Sequence, residues 1–290
     1  MQTKNLKWIL YFSLVLIWGT SFILIKKGLE VFNPVQVGSI RIIISFLILS
    51  PFVYKRFKSI APKDWLILGL SGFLGSLLPA YLFSMAQVGL NSSTAGILNS
   101  LTPLFTLLVG ISFFRLKARW WSFVGVFISM IGTYGLLSVS GGHAFYFNIK
   151  YGIMIILATL FYGTQINLVK TYLKHIPPLT ITVFQFFIIG FPAVLVLFGF
   201  TDFVHLTQTE PRLLEGLFYV GLLAIIGTAF ALILFNKLIK IANPIFSASL
   251  TYFIPVVAII WGFFDNESFN LLIFLWIGLI LSGVYLVNRK

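Results

Sequence analysis

Charged residues and Pro- or Asn-rich breaks divide this sequence into long stretches almost devoid of polar side chains. Each apolar run is about 17 to 25 residues, the length that crosses roughly 30 Å of hydrocarbon at about 1.5 Å per helical residue. Ten runs can be marked, at approximately 8–25, 35–53, 65–86, 93–114, 120–139, 151–169, 179–200, 216–236, 244–264 and 270–287. The pattern predicts an all-α polytopic membrane protein of ten transmembrane helices. Most connections are short, so neighbouring helices are expected to run antiparallel.

Composition supports that reading. The 290 residues are 59% hydrophobic and 9% charged, with mean hydropathy +1.02, whereas soluble chains carry about 25% charged residues. Lys4 and Lys7 ahead of an apolar stretch give the start some likeness to a secretory signal. The stretch from Trp8 to Ile25 is too long for an h-region and lacks a small-x-small cleavage site, so it reads as a retained first helix.

A net charge of +13 would suggest nucleic acid in a soluble protein, but the basic residues sit between apolar runs rather than along a groove or stripe. With the N-terminus placed in the cytoplasm, fifteen Lys and Arg fall in cytoplasmic segments, among them Lys55, Arg56, Arg115, Lys117, Arg119, Lys170, Lys174, Lys237 and Lys240. Four fall on the other side: Lys26, Lys27, Lys150 and Arg212. The excess of inner basic charge predicts both termini in the cytoplasm of a multi-pass inner-membrane protein. Six of seven acidic residues lie outside, Asp64 being the exception. The sequons at Asn91 and Asn266 lie close to the membrane and carry meaning only in a eukaryote. Cysteine is absent, which removes disulfides, thiolate metal sites and thiol nucleophiles.

The second half repeats the first. At a shift of 144, Trp18-Gly19-Thr20 meets Tyr162-Gly163-Thr164, Lys26 meets Lys170 and Pro34 meets Pro178. At a shift of 152, Gly75 meets Gly227, Phe83 meets Phe235, Asn91 meets Asn243, Pro103 meets Pro255 and Gly110 meets Gly262. The collinear matches predict a duplication, 1–140 and 141–290, with five spans in each unit. An odd number of spans makes the second unit enter the membrane from the opposite side, so the repeats are inverted, a plan of secondary transporters with a site near the midplane.

On these features the chain resembles the EamA-type branch of the drug/metabolite transporter superfamily. The likeness covers essentially the whole chain and rests on Trp18-Gly19-Thr20-Ser21-Phe22, Arg41, Asn91-Ser92-Ser93-Thr94-Ala95 leading to Leu101-Thr102-Pro103-Leu104-Phe105, and the Ile277-Gly278 to Gly283-Val284 ending. The resemblance implies export or exchange of amino acids, other metabolites or drugs through a central cavity between the halves. The chain departs from the family where a carboxylate commonly follows the fourth span, reading Phe114-Arg115-Leu116-Lys117, while the end of span 9 keeps Asp265 and Glu267.

Polar groups inside apolar spans mark the candidate pathway, because in lipid they must face the bundle interior or water. Arg41 lies about six residues into span 2, on the order of 9 Å from its outer end, with Gln185 at the equivalent place in the second repeat. It either attracts a substrate carboxylate or snorkels and holds backbone carbonyls. Trp18, Thr20 and Ser21 in span 1 and Tyr162, Thr164, Gln165 and Asn167 in span 6 bring polar and aromatic groups near mid-depth. They read as paired outer and inner gates of a substrate path, or as small-residue helix packing. Pro103 and Pro255 each free a carbonyl four residues earlier, on Asn99 and Thr251, and act as gating kinks or as packing kinks. Tyr81, Tyr252 and Asn236 complete the candidates. Trp8, Trp65, Trp120, Trp121 and Trp276 fit interfacial belts, whereas Trp18 lies deep enough to stack on a substrate.

No span contains Asp or Glu, and His143, His175 and His205 fall in loops. Neither an acid/base pair nor a metal cluster is therefore expected at depth, and there is no phosphate loop for ATP. No cofactor is expected. Substrate gradient, exchange or an ion gradient is the expected driving force, with facilitation or exchange favoured over a dedicated proton relay. The expected partners are a small-molecule substrate and the lipid bilayer, with the protein a monomer or homodimer. Drug or multidrug efflux, a membrane enzyme and a structural subunit are the alternatives.

Overall fold

The computed structural model describes residues 2–90, 92–140, 149–257 and 272–288. Expectations that fall on His143, Asn91, Gly262, Asp265, Asn266 and Glu267 therefore lie outside the described residues. Among those described the chain is all helical: α1 (Gln2–Leu29), α2 (Pro34–Leu49), α3 (Pro51–Arg56), α4 (Pro62–Ala86), α5 (Ser92–Asn99), α6 (Thr102–Phe114), α7 (Trp120–Ser140), α8 (Ile149–Tyr172), α9 (Pro178–Gly199), α10 (Phe203–Thr209), α11 (Leu213–Ile241), α12 (Pro244–Val257) and α13 (Leu272–Asn288).

Five of these, α1, α4, α8, α9 and α11, are long and apolar enough to cross a membrane, and α2 joins them if its bent continuation through Ser59 is counted. The apolar α6, α12 and the last helix are shorter. Local chemistry sets these limits. The run expected at 35–53 bends by 55° after Leu49, because Pro51 lacks the N–H the ladder needs and its ring crowds the preceding turn. The run expected at 93–114 is two helices, with Ser100 and Leu101 in the break. Asn33 starts α2 with a reciprocal capping box to Gln36 and Pro34 in the first turn, and Asn243 caps α12 ahead of Pro244. Arg115 closes α6 in the left-handed region at φ 54°.

Helix pairing follows the sequence repeat. α2 packs on α9 and α7 on α13; α4 packs on α8 as α11 packs on α1; α6 packs on α8 as α12 packs on α1. Two π-helical segments fall in register with it as well, Phe73–Leu77 in α4 and Ile225–Phe230 in α11. Small residues permit the approach. A Cβ on Gly283 would lie 2.5 Å from the Gly125 carbonyl, and one on Gly163 would lie 2.7 Å from the Thr106 nitrogen.

Polar ties define two ends of the bundle. At one, Arg212 bridges to Glu30 at 3.0 Å and Gln36 donates to Asp202 at 2.8 Å. Hydrogen bonds first from Lys27 and then from Arg212 hold the Glu30 carboxyl below its ordinary range. At the other end, Lys170 Nζ donates to the carbonyls of Ile239, Lys240 and Ala242 at 3.0, 2.9 and 2.7 Å. There Lys240 reaches the Ile176 carbonyl and His175 meets Asp64 at 2.9 Å. Of the tryptophans expected in belts, Trp276 packs on Gly135 with its indole N–H buried and unpartnered, and Trp8 and Trp65 sit edge-on to Phe246 and Phe184.

The α6–α8 contact yields a direct test. Gly163→Ala would force backbone apart and is expected to cost about 1–3 kcal/mol, read as a fall of several degrees in the melting temperature of the solubilised protein. Gly221→Ala, where a Cβ meets nothing within 4 Å, is expected to hold or raise it.

Candidate functional site

A cavity lies where α1, α2, α4, α5, α6, α8, α11 and α12 converge, so three of the helix sets related by the repeat line it from both halves, while α2 does so without its mate α9 and the α7–α13 pair supplies no wall residue. Its volume is about 90 Å³ counted over positions open to a water's centre. One water needs about 10–15 Å³ on that measure, so about six to nine waters, or a small metabolite, fit.

The wall is built from repeat mates. Gly75 and Gly227, both within the π-helical segments, line it. A Cβ on Gly75 would lie 2.5 Å from Gln165 Cγ and one on Gly227 would lie 2.7 Å from Ser21 Oγ. Ser21 and Gln165 are themselves separated by the first repeat shift. Each glycine thus vacates the room into which the opposite half's polar residue projects. A π-segment widens a helix by one residue and leaves backbone groups to be satisfied by other means. Here Thr228 donates to the Leu223 carbonyl at 2.9 Å, and Trp18 Nε1 donates to the Gly227 carbonyl at 3.0 Å.

The helix break between α5 and α6 reaches the same wall. Thr102 donates to the Asn99 carbonyl at 2.8 Å, supplying the donor that Pro103 cannot. Pro255 follows a 3-10 turn, Ser249–Tyr252, at the corresponding place in α12, and Thr251 and Ile254 line the cavity from there. The apolar wall is Phe22, Phe83, Phe235, Leu232 and Ile254. Trp18 stands edge-on to Phe235 with centroids 4.9 Å apart, and Phe83 stacks on Tyr162 at 6.0 Å.

Arg41 is half-buried and turns into the cavity, with Nε donating to Thr228 Oγ1 at 2.5 Å. No ion pair to Arg41 occurs among the described residues. Gln165, 1% exposed, lines the cavity with Nε2 buried and unpartnered; an unsatisfied buried donor costs roughly 1–3 kcal/mol. Three hydroxyl protons on this wall are used within their own helices, Ser21 donating to Ile17, Thr228 to Leu223 and Thr251 to Ala248; the hydroxyls of Ser76 and Tyr162 also belong to lining residues.

Six of the residues singled out in the sequence meet here: Trp18, Ser21, Arg41, Asn99, Tyr162 and Gln165. Six lie off this wall. Thr20 and Thr164 turn back to the carbonyls of Leu16 and Leu160. Asn167 joins α8 to α6 through the Thr106 carbonyl, Tyr81 bonds Ser39 on α2 while its ring packs on Gly38, and the buried Tyr252 donates to the Val126 carbonyl. Asn236 is sealed with Thr182 and Gln185, and Gln185 with Ser71. Ser76, Thr102 and Thr228 line the wall without having been singled out. Ser76 and Thr228 were findable, since each directly follows one of the matched glycines Gly75 and Gly227.

Comparison with known proteins agrees across the full length. An uncharacterized inner membrane transporter of Escherichia coli, YedA, is 26% identical over 96% of this chain and 89% of its own. An uncharacterized transporter of Archaeoglobus fulgidus is 24% identical over 98% and 99%. A probable terminal-alkyne amino-acid exporter of Streptantibioticus cattleyicolor is 22% identical over 100% and 95%. One crystal structure shares the fold with a TM-score of 0.73 at 16% identity, covering 97% of this chain and 95% of that one. The family model for EamA-like transporters matches twice, over 6–138 and 149–289. The chain therefore belongs to the EamA-like transporter family.

Proposed function

We propose that the protein is a secondary transporter, an exporter or exchanger of small organic metabolites such as amino acids, working by alternating access at the cavity around Trp18 and Gln165. On this reading the ten apolar segments form two inverted five-helix units, 1–140 and 141–290, in an inner membrane with both termini cytoplasmic. The observation that carries it is the cavity wall itself: matched glycines in matched π-segments, each receiving a polar side chain from the other half. Helices interrupted beside a central site are a recurrent feature of inverted-repeat transporters. The amino-acid exporter among the relatives and a volume of about 90 Å³ both favour a small metabolite over a drug-sized substrate, which needs roughly 300 Å³ or more.

Two measurements test it. Single cysteines placed in 115–119 and in 202–212 are expected to react with an impermeant maleimide from opposite faces of the membrane; reaction from one face overturns the inverted arrangement. In proteoliposomes, exchange of labelled apolar amino acids is expected above empty vesicles and to fall about tenfold or more in Trp18→Ala and Gln165→Ala with insertion intact. Unchanged exchange in both variants removes this cavity as the path, and no exchange of any small organic solute by the wild type ends the transport reading.

A further inference from the structure

We infer that the substrate carries a carboxylate and that Arg41 and Gln165 receive it together. The inference rests on the transport reading and deepens it. The cavity wall holds one formal charge, Arg41, with no Asp or Glu beside it. The guanidinium spends Nε on Thr228, which orients its two terminal nitrogens as a fork without consuming them. Gln165 contributes a second donor, buried and unpartnered, from the other half of the molecule. A carboxylate is an acceptor-only group with lone pairs enough for both donors. The α6 N-terminus at Thr102 adds positive potential at the same wall. Ser21 and Thr251 have given their protons to backbone carbonyls, so they face the cavity as acceptors, suited to an α-amino group, while Thr228 already accepts from Arg41. The aromatic wall takes an apolar tail. A lipophilic cation, in contrast, would meet Arg41 with no anion to offset it.

The test compares acids with the amines that lack only the carboxyl: counterflow of phenylalanine and leucine against phenethylamine and isoamylamine in proteoliposomes. The acids are expected to exchange at least tenfold faster. Arg41→Gln and Gln165→Leu are expected to lower acid exchange about tenfold each, and Arg41→Lys to lower it less than Arg41→Gln. Amines that exchange as fast as the acids, or acid exchange unaffected by both variants, overturn this inference and leave the transport reading standing. Failure of all four solutes overturns this inference, and it reaches the transport reading only when no other small organic solute exchanges either.

A second inference rests on a separate observation. Lys170 of α8 caps the last carbonyls of α11, groups that a helix C-terminus leaves without partners. Its repeat mate Lys26 is exposed and makes no hydrogen bond or ion pair among the described residues. The carbonyls equivalent to those Lys170 binds, on Gln87, Val88 and Leu90, end α4 at the cavity's other side. The bridges near them do not differ in this way: Glu30–Arg212 and Asp64–His175, at nearly matched positions, are both closed. We propose that Lys170 and Lys26 are alternating latches, Lys170 engaged in the state described here and Lys26 engaging Gln87, Val88 and Leu90 when the opposite face opens.

The absence of cysteine permits a single reporter, Ile25→Cys on the cavity wall, labelled by impermeant maleimide. Lys170→Met is expected to lower labelling several-fold by releasing the closed end, Lys170→Arg to keep it, and Lys26→Met added to Lys170→Met to restore it. Labelling that Lys170→Met leaves unchanged or raises, or that Lys26→Met fails to restore, overturns the latch.

Discussion

Everything in this molecule depends on the lack of water as a partner for polar groups inside lipid-spanning helices. A backbone or side-chain polar group there must be satisfied by protein or left facing a cavity. Most hydroxyls comply by returning to their own helix, as Thr106 does to Thr102, Thr159 to Ile156 and Thr182 to Pro178. Where the ladder is interrupted the same rule is met by a specific neighbour: Thr102 for the Asn99 carbonyl, Thr228 for Leu223 and Trp18 for Gly227. Among the described residues the buried side-chain atoms that escape the rule are scattered: Gln87 Nε2, Asn236 Oδ1 and Trp276 Nε1 lie off the cavity, and Gln165 Nε2 belongs to its wall. Arg41 keeps its terminal nitrogens and Gln165 its amide nitrogen, and both belong to the cavity wall.

The second constraint is packing. Helices in lipid gain little from hydrophobic exclusion of one another and associate through close contact of small residues. The α7–α13 pair, remote from the cavity, shows this in its plainest form, with Gly125, Ser129 and Gly283 letting two backbones meet. Around the cavity the same device has another result. Gly75 and Gly227 do not bring backbones together; they clear space for Gln165 and Ser21. One residue type closes the periphery and opens the centre, depending on whether the facing residue is backbone or a polar side chain.

The repeat, the apolar segments and half of the candidate site were legible in the sequence because each follows from a one-dimensional pattern. Spacing reveals the matched glycines and prolines, and length reveals apolar helices, five or six of which are long enough to cross a membrane among the described residues. Which neighbour within a cluster faces inward is not such a pattern. Thr20 and Ser21 are adjacent, yet one turn of about 100° per residue places only Ser21 on the cavity, and likewise Gln165 but not Thr164. Tyr81 and Asn167 carry the right chemistry and use it to join helices, which depends on what α2 and α6 present to them. The bend at Ser50 was announced by Pro51, but a single apolar run through 53 concealed it.

The repeat mates Arg41 and Gln185 show why a repeated pair need not be a symmetric one. Gln185 occupies a cluster with Ser71, Asn236 and Thr182, all buried, while Arg41 lines the cavity together with Gln165. A neutral amide can be sealed away with two or three hydrogen bonds, whereas a guanidinium cannot be taken fully out of a polar environment without a much larger cost. On the inverted-repeat reading, the alternate state would expose Gln185 where Arg41 is exposed now, and would have to accommodate Arg41 in a more enclosed setting. A bound anion beside Arg41 lowers the cost of that enclosure, so a carboxylate would be not only held by the site but needed for its closure. On the proposed mechanism such coupling would give exchange in preference to leak, since an empty cavity would have to bury the bare charge, without a carboxylate relay within the spans.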